Sequence, residues 1–400
     1  MWKWIGVVVA VIIAGVTGYW LSLDKNIRYL MLNQPESTNV LFWTTAQRDA
    51  GFQTLEKLDV IPFNIIEKGK LSHELAIEQP LVVADDAIEK FFKEQRIAGL
   101  VVLQNGELRY EKYGLGLTSD DKWTSFSVAK SVTSTLVGAA IKDGYINSLE
   151  DKITDYIPDL KGSAYEDVTL AQVLTMTSGV AWDEDYEDPN SDASKFNFHT
   201  PEPGIDATVS YMHLLGRANP AGTTFVYSTG ETGLIGLLVS NATGKSLASY
   251  LSEKVWSKLP VQQDASWLLG PTNQEISGCC IQATTRDFAL FGDFVLNGAQ
   301  VNGASIVPED WFASATTNQV ELGEGDGYGF QWWTSAKGHF EGKGIFGQGL
   351  YIDPEHQLVI AVNANWEGAM TPASYQSRKA MYQYFAELFA NNSDNKVASN

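Results

Sequence analysis

The sequence predicts an α/β fold in which an antiparallel sheet, flanked by helices, is interrupted by an inserted all-α domain. Three observations predict it. The apolar run Leu100–Leu103, the Asn105-Gly106 pair and Leu108-Arg109-Tyr110 read as a hairpin. Three more strand-like runs come late: Tyr328–Trp333, Gly344–Ile352 and Leu358–Val362. Between these groups, residues 145–275 are mostly helical in pattern, with long polar loops around Asp183–Pro203. Strands at both ends around a helical middle imply one sheet closed by distant segments.

The elements follow in order. Ile5–Leu23 is a mostly apolar run preceded by Lys3, with Trp2, Trp4, Tyr19 and Trp20 near its ends. It is long enough to span a bilayer, and the aromatics sit where interfacial anchors do. A cleaved signal peptide is the rival, although Val16-Thr17-Gly18 is a poor cleavage site. The expectation is an uncleaved anchor over residues 5–23 in the inner membrane, with the catalytic body in the periplasm. If the segment is cleaved, the protein is secreted to the periplasm.

Residues 24–84, with Pro35, Pro62 and Pro80, read as an irregular extension. Asp85-Asp86 starts a helix through Phe91, Phe92 and Gln95. A helix opens at Ser127, another covers Ile281–Leu296, and a terminal one covers Met381–Phe389. The domains expected are thus 1–23, 24–84, a sheet domain from 85–126 and 276–392, a helical domain over 127–275, and a tail over 393–400.

Acidic residues outnumber basic ones 48 to 28, giving a net charge of −20 that disfavours nucleic acid and anionic headgroups as partners. No two of the five histidines have metal-pair spacing, so neither a metal nor a cofactor is expected. The only cysteines are the neighbours Cys279 and Cys280, which cannot staple distant segments. Two small buried thiols in a strand is the preferred reading, with a vicinal disulfide as the alternative. The oligomeric state is not legible.

Ser127-Val128-Ala129-Lys130 is the stretch that points to chemistry. Serine and lysine three apart share one helical face. A serine hydroxyl needs a neighbouring base, and lysine serves only if burial keeps it partly neutral. Ser-x-x-Lys also occurs at Ser22–Lys25, Ser119–Lys122 and Ser393–Lys396, but only Ser127 precedes an apolar-periodic run, with Val128, Val132, Leu136, Ala139 and Ala140. The competing reading is a serine N-cap followed by a solvated lysine.

Three further segments stand in order after it: Met176-Thr177-Ser178-Gly179 with Trp182 and Tyr186; Tyr227-Ser228-Thr229; and Gly344-Ile345-Phe346-Gly347-Gln348. Together with Ser127–Lys130 they resemble the serine β-lactamase-related family, the penicillin-recognising serine hydrolases. Trp123-Thr124-Ser125-Phe126, the Met176–Gly179 variant and Tyr328–Trp333 look most like its 6-aminohexanoate-dimer hydrolase and family VIII carboxylesterase branch. The resemblance covers roughly residues 85–390 and implies a β-lactamase/DD-peptidase-like fold. It also implies a metal-free serine hydrolase that opens small amide or ester bonds through an acyl-enzyme.

By the same resemblance Ser127 is the nucleophile and Lys130 its base. Tyr227 would pass a proton to the leaving group, provided Lys130 holds its pKa below ~10. The oxyanion hole would use the Ser127 N–H and that of Gln348, with Ile345 the alternative. Gly347 would let substrate approach, Thr229 would take part in substrate binding, and Trp182 and Tyr186 would be pocket walls or core. Two departures matter. Thr229 replaces a frequent asparagine, and Phe346 stands where a lysine or histidine often precedes the motif's glycine. Both point away from efficient β-lactam hydrolysis. The alternatives are a D-alanyl-D-alanine peptidase or weak β-lactamase, and a non-catalytic membrane-tethered binding protein.

Overall fold

The apolar run Leu100–Leu103 has no polar face because both of its faces are covered. In the computed structural model, which describes residues 2–58, 61–71, 75–77 and 79–397, Ile97–Gln104 is an inner strand of an eight-stranded antiparallel sheet. Alternate side chains point to opposite faces. Val101 and Leu103 join a core with Phe288 and Phe291, while Leu100 and Val102 join Ile88, Phe91, Met381 and Phe385. The first face is covered by the helix Thr285–Leu296, the second by Asp85–Gln95 and Pro372–Val397.

The strand order is Glu107–Tyr113, Ile97–Gln104, Leu358–Ala364, Gln348–Asp353, Phe340–Gly344, Trp333–Ser335, Asp326–Tyr328, Val320–Gly323. Pairing of Leu100 with Val362 and Val102 with Ile360 closes the sheet from the two ends of the chain. The helical middle holds Val128–Lys142 and Thr229–Thr243, packed against each other in the main core.

Several boundaries differ from expectation. Tyr328–Trp333 is not one strand, because Gly329 comes against the Ala315 carbonyl and Gln331 adopts φ +61°. The chain turns there between Asp326–Tyr328 and Trp333–Ser335. Gly344–Ile352 is likewise broken, by the turn Ile345–Gly347, where Phe346 has φ +58°. The helix expected from Ile281 starts at Thr285, where the Thr284 hydroxyl caps the Asp287 N–H, and Ile281–Thr284 is a strand. It belongs to a second, four-stranded sheet that composition did not announce, ordered Phe63–Ile66, Ala265–Leu268, Ile281–Thr284, Lys122–Thr124. The helical block therefore ends before Ala265. The terminal helix runs from Pro372 to Val397, through the expected tail; residues 398–400 lie outside the described residues.

The prolines of residues 24–84 concealed ordered structure: helices Lys25–Leu32 and Thr45–Gly51 and the strand Phe63–Ile66. Phe52, fully buried, packs its ring against Trp123, Phe126 and Phe346. The buried Arg48 donates to Asn365 Oδ1 and the Trp366 carbonyl and lies over the Phe346 ring. The extension thus braces the turn Ile345–Gly347 and the residue before Ser127. Phe52→Ala is expected to destabilise the protein by about 3–5 kcal/mol, read as a lower urea midpoint at unchanged m-value.

Adjacent side chains diverge in a strand and converge only where the chain departs from it. Cys280 does so, with φ +74°, in the half-buried turn before Ile281. Cys279 and Cys280 form a vicinal disulfide there, which corrects the expectation of two buried thiols in a strand. At the N-terminus, Trp2–Ser22 is one helix, apolar and long enough to cross a membrane, and no residue of its span from Trp4 to Ser22 is buried.

Candidate active site

Ser127 is the N-cap of Val128–Lys142, yet its side chain makes no capping hydrogen bond. The residue before it, Phe126, is held at φ +41° by packing against Phe52 and Phe346. That strained turn presents the hydroxyl to a cleft instead of to the helix end. One turn on, Lys130 is only 1% exposed. The reading of a capping serine and a solvated lysine does not hold.

The Lys130 ammonium lies 3.2 Å from Ser127 Oγ, 3.0 Å from Thr229 Oγ1 and 3.2 Å from the Gly278 carbonyl. Burial brings its pKa from 10.5 down to about 8, against the opposing pull of the Glu184 carboxylate. A sizeable neutral fraction therefore exists at mildly alkaline pH.

Tyr227 sits on the other side of the serine. Its ring stacks on Trp333 at 5.5 Å, and Lys130 Nζ is 5.2 Å from its centroid. Burial raises its phenol well above the ordinary value, with the Glu184 charge adding to this and the Ser127 hydroxyl partly offsetting it. The condition that Lys130 lower this pKa below ~10 is not met. The phenol stays protonated in the resting site.

A cleft of 430 Å³ opens over these groups, lined among others by Ser127, Tyr186, Tyr227, Trp333, Lys343 and Ile345. The end of the strand Phe340–Gly344, at Lys343 and Gly344, lines it as well. A Cβ at Gly344 would stand 2.8 Å from the Ser125 carbonyl, so glycine lets this strand reach the turn before Ser127. Ile345 follows at the cleft wall. Gln348 does not reach it. Fully buried, Gln348 donates to the Ile345 and Ala364 carbonyls and accepts from the Ala364 N–H. The preference for Gln348 as the second oxyanion donor does not fit this placement, because the turn at Phe346 carries the chain away from the cleft, whereas the alternative, Ile345, lines it.

The motif's register shifts with it. The glycine at the cleft is Gly344, and the residue before it is Lys343, so a cation is present after all. Its ammonium lies 3.0 Å from Glu341 and 4.8 Å above the Trp333 ring. Gly347, at φ +95°, instead packs against Trp366 and marks the turn.

Residues 84–383 match the family Beta-lactamase. The chain belongs to this family. As a beta-lactamase family member it is a serine hydrolase. It is 30% identical over 296 residues to the 6-aminohexanoate-dimer hydrolase of Paenarthrobacter ureafaciens, covering 70% of this chain and 75% of that one. Its fold is similar to that of a Bacillus anthracis protein assigned as a 6-aminohexanoate-dimer hydrolase (TM-score 0.75, 23% identity, 89% of this chain and 98% of that one). A family VIII carboxylesterase shares the fold at TM-score 0.58 and 17% identity, over 75% of this chain and 96% of that one.

Within this beta-lactamase frame, the structure brings Ser127, Tyr227, Tyr186 and Ile345 together at the cleft, with Lys130 and Thr229 directly behind. Trp182 is not a cleft wall. Its indole packs edge-on against Phe196 and Tyr211, and its N–H donates to Glu184. The sequence reading missed Glu184 and Lys343, and took Trp333 only as part of the run Tyr328–Trp333. Glu184 left one signal: it lies midway between Trp182 and Tyr186, both already singled out. Among the described residues no cluster suited to a metal ion occurs.

Proposed function

We propose that Ser127 is the nucleophile of an acyl-enzyme hydrolase acting on small linear amides or esters, with Lys130 as its base and Tyr227 as its acid. The observation that carries this reading is the buried lysine whose amine, with a pKa near 8, touches an uncapped serine hydroxyl. Ser127 Oγ attacks the carbonyl carbon as its proton passes to Lys130. The N–H groups of Ser127 and Ile345 hold the developing oxyanion. Tyr227, protonated at rest, gives its proton to the departing amine or alkoxide, and water then releases the acid by the reverse path. The resemblance to 6-aminohexanoate-dimer hydrolases favours the amide arm. Lys343 at the cleft favours substrates that also carry a carboxylate, and supports the D-alanyl-D-alanine peptidase or weak β-lactamase reading.

A side-by-side panel of a p-nitrophenyl acyl ester, a linear aminohexanoate dimer and nitrocefin tests the assignment. Turnover of the first two with little of the third is expected; efficient nitrocefin hydrolysis alone would favour the second reading. Tyr227→Phe should cost about 10²–10⁴ in kcat on the amide and far less on the ester, because p-nitrophenolate leaves without a proton. Equal losses would remove the acid role.

Residues 5–23 are proposed as an inner-membrane anchor with Lys3 inside and the body in the periplasm. The net charge of −20 keeps that body off anionic lipid. Full-length protein is then expected in the membrane fraction with Met1 intact. Recovery as a soluble species with a new N-terminus near Tyr19 would make the run a signal peptide.

A further inference from the structure

A neutral lysine amine has two N–H donors and one lone pair, and only the lone pair can take the serine proton. Which of three neighbours faces that lone pair is therefore decisive. The Gly278 carbonyl, 3.2 Å away, can only accept. Thr229 Oγ1, 3.0 Å away, can accept or donate. If it donated, it would occupy the lone pair and disarm the base.

Glu184 settles that choice. Its carboxylate receives four donors: the Thr229 N–H at 2.9 Å, the Thr229 hydroxyl, the Trp182 indole N–H and the Tyr186 hydroxyl. A carboxylate offers about four lone-pair positions, and only the ionised form accepts at all of them. With its hydrogen committed to Glu184, the Thr229 hydroxyl can only accept from Lys130. Both amine hydrogens are then spent on Thr229 and Gly278, and the third direction, toward Ser127 Oγ at 3.2 Å, is left to the lone pair.

We infer that Glu184 is a positioning residue that, through the Thr229 hydroxyl, aims the lone pair of Lys130 at Ser127. The inference rests on Lys130 being the base. It also separates Glu184 from its exposed neighbours Asp185 and Glu187 on the same cleft wall. Glu184 has no lone pair left for substrate, so its removal should alter acylation and not substrate binding. The arrangement accounts for threonine at a position where asparagine is frequent: here the fixed acceptor is made by two residues.

The test is the rate of Ser127 labelling by a fluorophosphonate probe across pH 6–10. Variants are Glu184→Gln, Thr229→Val, Thr229→Ser and the double Glu184→Gln/Thr229→Val, with folding checked by circular dichroism and Ser127→Ala as the unlabelled control. Glu184→Gln places an amide where two of four donors already point. It is expected to slow labelling at least about tenfold, short of the ~10²–10⁴ that losing the base itself would cost. It should also move the midpoint of the pH profile downward, since the charge that raises the lysine pKa is gone. Thr229→Val should be slow in its own right, and adding Glu184→Gln should then cost less than about threefold more. Thr229→Ser should keep the wild-type midpoint. Additive losses in the double variant, or an unmoved midpoint in Glu184→Gln, would overturn the positioning role while leaving Lys130 as base. Wild-type protein whose Ser127 takes no label would overturn both.

Discussion

Ser127→Ala is expected to lose turnover by roughly 10³-fold or more while the protein remains folded. The loss is large because the proposed mechanism makes the hydroxyl the attacking atom, not an aid to binding. The fold should survive because Ser127 caps nothing: its side chain satisfies no helix N–H. The usual cost of removing a serine cap, about 1 kcal/mol, therefore does not apply. A capping or purely structural serine would give the opposite pattern, with activity retained and stability lowered. Kinetics and a urea titration on the same preparation separate the two.

Lys130→Met is expected to abolish acylation and to make the protein more stable at neutral pH. Burial lowers the lysine pKa from 10.5 to about 8, so the folded state holds the charged amine at a cost of about 3 kcal/mol. The sign follows from proton counting. Between pH 8 and 10.5 the unfolded chain binds more protons, so wild-type stability rises with pH across that window. The cost is full below pH 8 and gone above 10.5. Methionine removes it, less about 1–2 kcal/mol for the Gly278 carbonyl left without its donor. The gain should shrink as the pH approaches 10.5. A variant less stable than wild type at pH 7 would mean that the amine is not buried as charge. Stability given up at a working group is a common exchange in enzymes.

What the sequence made legible was local. Ser127 and Lys130 are one helical turn apart, and the apolar stripe behind them distinguishes this Ser-x-x-Lys from three others. The hairpin at Asn105-Gly106 is local in the same way. Tyr227 is remote in sequence from both and came only from resemblance. Gln348 was misplaced because two glycine-containing stretches, Lys343-Gly344 and Phe346-Gly347, lie three residues apart. Only the left-handed turn at Phe346 decides which one faces the cleft. Glu184 stayed hidden in a polar loop, where a carboxylate looks solvated until its four donors are seen. The strand Phe63–Ile66 and the buried Phe52 were obscured by prolines that mark the ends of elements and not the absence of them.

The central claim is that a neutral Lys130 activates Ser127 for acyl transfer. Single-turnover acylation by a p-nitrophenyl ester, followed across pH 6–10 with the adduct located by peptide mass spectrometry, tests it most directly. The account predicts an acyl group on Ser127 and a rate that rises about tenfold per pH unit, levelling near pH 8 where the amine is half neutral. An adduct on another residue, or a midpoint near 6.5 as for a histidine base, would contradict it.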